Sequence, residues 1–181
     1  AKLQADQAFL AQLKVDLALA EDQPEIAAVR AELEKSTLLP AAQKQRTTKR
    51  STGEVGRPRR FLSPQGFQIV VGRNARQNEE VTFDLATPAD LWLHVRNAPG
   101  SHVVIRNGGQ PVDETTLRTA AQFAAYFSSQ RGERAVVVIY TARRNIARAP
   151  GGRPGQVLVR HEETITVRGE LPAELQLSDR R

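Results

Sequence analysis

The most reactive side chains of this sequence are concentrated between residues 90 and 106, where the only tryptophan and two of the three histidines occur. Apolar residues alternate there with Asp90, Trp92 and His94, and this two-residue period is typical of a β-strand. A strand of this kind packs its apolar side chains into a core and presents a carboxylate, an indole and an imidazole on its other face. The segment therefore predicts a surface that can stack on a flat ligand and exchange hydrogen bonds with it.

A turn at residues 99–101 separates this strand from a second one that begins at His102. We predict that the two strands pair and bring His94, His102 and Arg106 together near one edge of a sheet. Asp90, His94 and His102 would also suit a metal-dependent hydrolase or nuclease, since aspartate and histidine are common metal ligands and general bases. The spacings typical of metal ligands are missing from the sequence, so binding is favoured over catalysis.

The same side chains have a structural interpretation that the sequence leaves open. Asp90 would cap the strand, and His94 would satisfy a hydrogen bond in the interior. Trp92 would pack beneath the helix that is predicted over residues 113–130, because buried indoles are normal core elements.

Two further stretches have the composition of a nucleic-acid surface. Arg73, Asn74 and Asn78 combine a cation with amides that suit sugar and base edges, although asparagine also caps helices. Residues 143–155 contain four arginines and three glycines, so guanidinium and backbone N–H groups can both approach phosphates. A solvated charged loop is the alternative interpretation of this basic segment. The candidate RNA-binding residues are Arg73, Asn74, Asn78, Asp90, Trp92, His94, Arg96, Gly100, Ser101, His102, Arg106, Arg143, Arg144, Arg148 and Arg153.

Charge is distributed unevenly along the 181 residues. The net charge is +6, but residues 1–43 carry −3 and residues 44–60 carry +6, and no lysine follows residue 49. The absence of cysteine excludes disulfides and thiolate metal sites. No apolar run reaches membrane-spanning length and no signal-peptide pattern is visible, so we expect a cytoplasmic protein with no membrane partner. Because the sequence has no methionine and opens in a helical pattern, we expect it to be a piece of a longer protein.

The first 39 residues are predicted to form an antiparallel helical hairpin, the end of a coiled coil. The second helix is expected to start after Asp22, which can cap it, with a proline in its first turn. A basic linker is predicted over residues 40–60, where turn formers and seven bases replace apolar residues. The apolar positions that indicate the first helix at heptad-like spacing are Leu3, Leu10, Leu13 and Leu17.

Residues 61–170 are predicted to form a single α+β domain with a mixed or largely antiparallel sheet and two helices, followed by a polar tail over 171–181. Strands interrupted by two helical patterns are the basis of this prediction. The further predicted elements are a strand pair around residues 63–66, a helix from Asn74 to Leu85, a helix capped by Asp113, an internal strand over 135–140, and a closing hairpin of 156–159 with 164–167.

These motifs together resemble one known family. The pattern Asp-x-Trp-x-His followed by Pro-Gly-Ser-His-Val, at residues 90–103, is similar to the hallmark of the NFACT-R domain. That domain occurs in the RqcH, NEMF and fibronectin-binding protein A family. Similar runs lie upstream, over residues 72–82, and downstream, over residues 140–157, so the resemblance covers roughly residues 60–170.

The resemblance implies an RNA-binding module and not an enzyme. Members of this family are ribosome quality-control factors that bind the large ribosomal subunit and tRNA and support template-free alanine tailing with alanyl-tRNA. The resemblance implies no metal or organic cofactor, and it allows the coiled coil to contact a ribosomal protein. The tRNA-recruiting Asp-Arg pair of the family belongs to its N-terminal domain, outside these 181 residues, so none of those residues is carried over.

The older family name implies a different class, an extracellular fibronectin-binding adhesin. The sequence shows no secretion signal, wall anchor, cysteine or repeat that would favour it. RNA binding is therefore the preferred expectation, with the adhesin and the metal-dependent enzyme as alternatives.

Overall fold

The computed structural model describes residues 2–36, 38 and 56–172. The predicted basic linker lies outside this part except for its last five residues, and the predicted tail lies outside it beyond residue 172. The helices are α1 (Lys2–Leu19), α2 (Gln23–Lys35), α3 (Ala75–Glu79), which continues into a π-helical turn (Glu80–Leu85), and α4 (Glu114–Tyr126). The strands are β1 (Arg59–Leu62), β2 (Gln68–Val71), β3 (Leu91–Val95), β4 (Val103–Ile105), β5 (Val136–Ala142), β6 (Ile146–Arg148), β7 (Val157–Val159) and β8 (Glu163–Val167), with a 3-10 turn (Arg143–Asn145) before β6.

The predicted α+β architecture is confirmed, and every strand pair in the described residues is antiparallel. Six strands form one sheet in the order β1-β2-β4-β3-β5-β8, and β6 and β7 form a separate two-stranded sheet. β3 and β4 lie in the middle of the large sheet, so their predicted position near its edge is wrong. The sheet therefore fixes the His94–His102 region from both sides.

The two faces of the large sheet are covered by different elements. α4, capped by Asp113 as predicted, packs on the face that carries Leu93 and Val95. Trp92 points to the opposite face, which the π-helical turn and the β6–β7 pair cover. The prediction that Trp92 packs beneath the 113–130 helix is therefore wrong, because neighbouring residues of a strand alternate between faces and Leu93 already faces α4.

The predicted closing hairpin is also wrong. β7 pairs with β6, with Ile146 opposite Val159, whereas β8 pairs with β5, with Val136 opposite Val167. The chain changes direction between β7 and β8 near His161, whose φ is 52°. β8 pairs with the open edge of β5 at five positions. A pairing with the short strand β7 would form fewer backbone hydrogen bonds.

The helical hairpin at the start of the chain is confirmed, but its apolar contact differs from the prediction. Phe9 and Leu13 of α1 pack on Val29 of α2. Of the four leucines at heptad-like spacing, only Leu13 is buried. The exposed fraction is 71% for Leu3, 46% for Leu10 and 52% for Leu17. Asp22 caps α2 as predicted, since its Oδ1 accepts from the backbone N–H of Glu25 at 2.9 Å.

Polar side chains join this hairpin to the sheet domain. The Arg153 guanidinium binds the Asp6 carboxylate at 2.6 Å, and the Gln12 side chain accepts from the backbone N–H of Gly100 at 3.0 Å. Arg73 binds Glu25 of α2 at 3.0 Å. Within the described ranges, no helix combines the length and the apolar composition needed to cross a membrane.

Buried Asp16 of α1 makes the stability of the protein sensitive to pH. Its side chain is buried, Oδ1 accepts from Gln12 at 2.7 Å, and Oδ2 has no hydrogen-bond partner among the described residues. Burial, opposed by the Gln12 hydrogen bond and reinforced by the neighbouring Glu32 carboxylate, raises the pKa of Asp16 from its usual 3.8 to about 8. The folded protein thus binds more protons than the unfolded chain between these two values, so its stability falls as pH rises from about 4 to about 8.

Asp16→Asn is expected to raise the free energy of unfolding at pH 8 by at least about 1 kcal/mol, since one pKa unit corresponds to about 1.4 kcal/mol. Urea unfolding of both proteins at pH 5 and pH 8 measures this, and the variant should show the smaller difference between the two pH values. Asp84→Asn, at an exposed carboxylate, is the matched control. Equal pH dependence of the Asp16→Asn variant and the parent would show that Asp16 does not cause the loss of stability at high pH.

Candidate nucleic-acid interface

Three aromatic rings meet on the sheet face opposite α4. Trp92 and His94 are neighbours on β3 with nearly parallel rings, 22° apart in plane and 5.8 Å between centroids. The His102 ring meets both rings edge-on, 5.0 Å from Trp92 and 5.2 Å from His94. The predicted meeting of His94 and His102 is confirmed, because His102 precedes β4 at the same end of the sheet at which β3 finishes.

Thr82 in the π-helical turn connects two of these rings. Its Oγ1 accepts from Trp92 Nε1 at 3.1 Å and lies 2.8 Å from Nδ1 of His102. The hydroxyl hydrogen of Thr82 can then be donated to Nδ1 of a neutral His102, which places the ring proton on Nε2. π-Helical turns are frequent at functional sites, and this one supplies a hydroxyl that is hydrogen-bonded to two rings of the cluster.

Asn78 fixes the backbone of the β3–β4 connection. Its Oδ1 accepts from the N–H of His102 at 2.9 Å and its Nδ2 donates to the carbonyl of Gly100 at 3.2 Å. Asn74 caps α3, accepting from the N–H of Gln77 at 2.8 Å, so the capping alternative holds for Asn74. Both residues are buried, and each side-chain oxygen accepts a backbone N–H within the protein.

Both imidazoles are uncharged at neutral pH. Burial lowers the pKa of His94 from 6.5 to about 4, against backbone hydrogen bonds at Gly100 and Val95 that favour the charged form. Burial and the nearby His94 lower the pKa of His102 well below 6.5, and backbone hydrogen bonds at Asn78 and Gly155 only partly oppose this. The pair can therefore offer ring faces and neutral hydrogen-bonding groups, but no positive charge.

The rings border a cleft of about 540 Å³ between α1, the β3–β4 connection and the β6–β7 pair. Its apolar walls come mainly from alanines of α1, Phe9 and valines of β6–β7, and none of its lining residues is Asp, Glu, Lys or Arg. Trp92 forms the floor and is fully buried, whereas His94 is half-buried. Helical hairpin and sheet domain thus build the cleft together.

Asp90 does not join the histidines. It lies at the other end of β3, and four residues along a strand correspond to about 13 Å. Its carboxylate accepts from the N–H groups of Thr87 and Gly108, both at 2.8 Å, and binds Arg106 at 2.9 Å. The predicted approach of Arg106 to the histidines is therefore wrong, and the capping role of Asp90 is confirmed. Among the described residues, no group of three or more His, Cys, Asp and Glu side chains could hold a metal ion.

Five of the candidate arginines already have partners within the chain, Arg106 through the Asp90 ion pair described above. Arg73 lies over the Phe127 ring at 4.7 Å and Arg153 over the Phe9 ring at 4.6 Å, each with the ion pair described above. Arg143 donates to the carbonyl of Thr82 at 2.7 Å, and Arg148 binds Glu79. Arg143 and Arg148 also lie over the Phe83 ring, at 4.9 and 4.0 Å. The predicted basic loop is thus a 3-10 turn and a β-hairpin, and Arg143, Arg148 and Arg153 hold it against the domain and α1.

Other arginines remain available to a ligand. Arg96 and Arg144 from the candidate list, and Arg160, are exposed and make no ion pair within the described part of the chain. Arg96 follows β3 beside the cleft. Arg144 and Arg160 lie at the base of the β6–β7 pair, where the N–H of Arg160 donates to the carbonyl of Asn145 at 3.1 Å.

Sequence reasoning missed three residues of this region. Thr82 was visible only as a member of the resembling run, Gln12 as one polar position of a helix, and Arg160 as an isolated base. Each acts through neighbours that are distant in the chain, so no local pattern marks it. Gly100 and Ser101 from the candidate list are buried in the β3–β4 connection, where their N–H groups donate to Gln12 and to the Phe127 carbonyl.

The structure is thus an α+β domain with a ring cluster at the centre of an antiparallel sheet, beside an uncharged cleft and exposed arginines. The family model for the NFACT protein RNA binding domain matches residues 57–161, which is more than half of the chain. The chain therefore belongs to the NFACT-R family, and the resemblance stated from its motifs is confirmed.

Relatives named RqcH and NEMF agree with this assignment. The Rqc2 homolog RqcH of Bacillus subtilis is 43% identical over 107 residues, 59% of this chain and 18% of the relative. The Rqc2 homolog RqcH of Streptococcus suis is 37% identical over 144 residues, 79% of this chain and 25% of the relative. The human ribosome quality control complex subunit NEMF is 31% identical over 70 residues, 38% of this chain and 6% of the relative. The chain thus spans a quarter or less of the length of these relatives.

One solved structure shares the fold along almost the whole chain. It is the C-terminal part of the fibronectin/fibrinogen-binding protein from Streptococcus suis, with a TM-score of 0.79 and 32% identity. The match covers 93% of this chain and 66% of that structure. The likeness therefore includes the helical hairpin as well as the sheet domain.

Proposed function

We propose that this chain is an RNA-binding module of a ribosome quality-control factor. The observation that carries the proposal is the NFACT RNA-binding family match over residues 57–161, a stretch with fifteen arginines and seven carboxylates and hence a net charge of +8. Such an excess favours binding to a phosphate backbone. The exposed Arg96, Arg144 and Arg160 are the cations we assign to this contact.

In the complete protein, the proposed partners are the rRNA of the large ribosomal subunit and tRNA, and the proposed role is to support alanine tailing with alanyl-tRNA. The names of the RqcH and NEMF relatives support the ribosomal setting, and with it a cytoplasmic location. We assign binding and not catalysis to this chain, without metal or cofactor, and the engagement of Asp90 by Arg106 supports that choice. Crosslinking of the full-length protein to RNA in cells, with both sides of each crosslink mapped, tests the assignment.

The combined replacement Arg96→Ala, Arg144→Ala and Arg160→Ala is expected to weaken binding to single-stranded RNA at least about tenfold at low salt. Each lost phosphate contact removes about 0.7 from the slope of log K against log salt, so the slope should fall by about 2. Fluorescence anisotropy over a salt series measures both the affinity and the slope. The free energy of unfolding, obtained from melting curves, should change by no more than about 0.5 kcal/mol per arginine.

Arg118→Ala is the matched control, since Arg118 is also exposed but lies on α4, on the opposite face of the sheet, paired with Glu114. It should leave affinity and slope nearly unchanged. An undiminished affinity of the triple variant would remove these arginines from the interface. RNA cleavage that requires a divalent metal would instead favour the hydrolase or nuclease.

A second candidate function is adhesion to fibronectin, which the name of the Streptococcus suis structure suggests. The basic charge of residues 57–161 favours RNA over this candidate. Surface plasmon resonance with immobilised fibronectin and with RNA separates the two. Saturable binding to fibronectin that persists in the triple arginine variant would support adhesion.

A further inference from the structure

The cleft beside His94 is lined only by uncharged residues. Its lining contains no carboxylate, ammonium or guanidinium, and most of its surface is hydrocarbon from α1, β3 and the β6–β7 pair. A phosphate in such a place would lose its hydration without gaining a counter-charge, which is strongly unfavourable. A flat, largely apolar group that can stack is favoured instead.

His94 provides the surface on which such a group can stack. One side of its ring is backed by Trp92, which is nearly parallel to it and fully buried. His94 itself is only half-buried and lines the cleft, so part of its side chain can be reached by a ligand. A ring supported from behind is held in place before a ligand arrives, so little rotamer entropy is lost on binding.

Three amide side chains of the cleft, those of Gln12, Asn78 and Gln156, are already committed to the protein. Asn78 uses its amide on Gly100 and His102, Gln12 on Gly100 and Asp16, and Gln156 on Ala5 and Arg153. Few hydrogen-bonding groups are therefore left to read the edge of a ligand. Recognition by stacking and shape with little preference among flat rings follows from this arrangement.

Cations stand outside the cleft on two sides. Arg96 adjoins the lining residues Val95 and Asn97, and Arg160 adjoins the lining residue Val159; both arginines are exposed. An uncharged ring site flanked by guanidinium groups matches a nucleotide within a single strand, whose base is flat and whose neighbouring phosphates are anionic.

We propose that the cleft between α1, the β3–β4 connection and the β6–β7 pair holds one unpaired nucleobase of single-stranded RNA, stacked on His94, with the adjoining phosphates at Arg96 and Arg160. This proposal rests on the RNA-binding function proposed above and adds to it the binding site of a base. It also gives the helical hairpin a direct part in binding, because α1 forms one wall.

The test measures the affinity of the whole chain for two ligands of equal charge, by fluorescence anisotropy at low salt. One ligand is a single-stranded RNA ten-mer, and the other is an abasic ribose-phosphate ten-mer. The RNA is expected to bind at least about fivefold more tightly, the effect of stacking one base. Ala8→Phe, at an exposed α1 residue of the cleft wall, should fill the cleft and abolish that advantage without changing the abasic affinity. Ala18→Phe, exposed on α1 outside the cleft, is the matched control and should change neither affinity.

A second pair of variants keeps the test independent of Ala8. His94→Ala should lose the advantage of RNA over the abasic strand, and His94→Phe, which keeps a flat ring, should retain it. Equal affinities of the parent chain for the two strands, or an Ala8→Phe variant that keeps its preference for RNA, would overturn the base site and leave RNA binding intact. Binding of neither strand at low salt would overturn the proposed function itself, and the base site with it.

Discussion

Replacing Trp92 with alanine is expected to lower the free energy of unfolding by about 4 kcal/mol, in the range of large buried aromatic residues. The indole has no exposed surface, and it packs between the sheet and the π-helical turn. Its removal would leave a cavity under His94 and deprive the Thr82 hydroxyl of its indole donor. Chemical unfolding followed by circular dichroism measures the loss, since the variant retains no tryptophan fluorescence.

Two further variants separate packing from hydrogen bonding at this position. Trp92→Phe keeps a buried ring and removes the donor, so a loss of about 1–2 kcal/mol is expected. Leu158→Ala, at an exposed leucine of β7, is the control and should change stability by less than about 0.5 kcal/mol. If Trp92→Ala were as mild as the control, the ring cluster would not be a part of the core.

Gly72→Ala is expected to destabilise the protein by about 3 kcal/mol, the upper part of the usual range for overpacking. A Cβ atom there would lie 2.5 Å from the Asn78 side-chain oxygen, 2.8 Å from the Asn78 backbone nitrogen and 2.9 Å from the Gln77 carbonyl carbon. Two of these three atoms belong to the backbone of α3 and cannot rotate away. Asn78 would have to move, and its hydrogen bond to the N–H of His102 would break.

Thermal and urea unfolding of Gly72→Ala measure the loss, and Gly56→Ala is the matched control. A Cβ at Gly56 would meet only the Gln77 side-chain nitrogen, at 3.8 Å, which is an ordinary contact. The control should therefore unfold nearly as the parent does. A Gly72→Ala protein with unchanged stability would mean that α3 can shift away from β2 at little cost, and that Asn78 does not fix the β3–β4 connection.

The helical hairpin contributes to the candidate site as well as to the fold. Gln12 holds the N–H of Gly100, Asp6 holds Arg153, and the Ala5 carbonyl accepts from Gln156 at 3.0 Å. These contacts connect α1 to both sheet elements that border the cleft. Any change that separates α1 from the domain should also open the cleft.

Much of the fold followed from local pattern. The two-residue period around Trp92 predicted β3, the polar residues Asp22, Asn74 and Asp113 predicted three helix starts, and the ordered motifs indicated the NFACT-R family. These features depend on near neighbours in the chain, namely backbone periodicity and capping. A single sequence displays such information directly.

Contacts between distant residues were decided only by the tertiary structure. Which face Trp92 occupies depends on where α4 packs, and the partner of β7 depends on the length of the open side of β5. The arginine-rich composition of residues 143–155 is typical of an RNA-binding surface. Arg148 and Arg153 nevertheless form ion pairs with Glu79 and Asp6, which lie far away in the chain. The sequence by itself determined the family, the elements and the chemical types of the site, because these depend on short-range pattern. Packing alone decided which cations stay free and which rings are buried, because an ion pair or a core contact depends on distance in space.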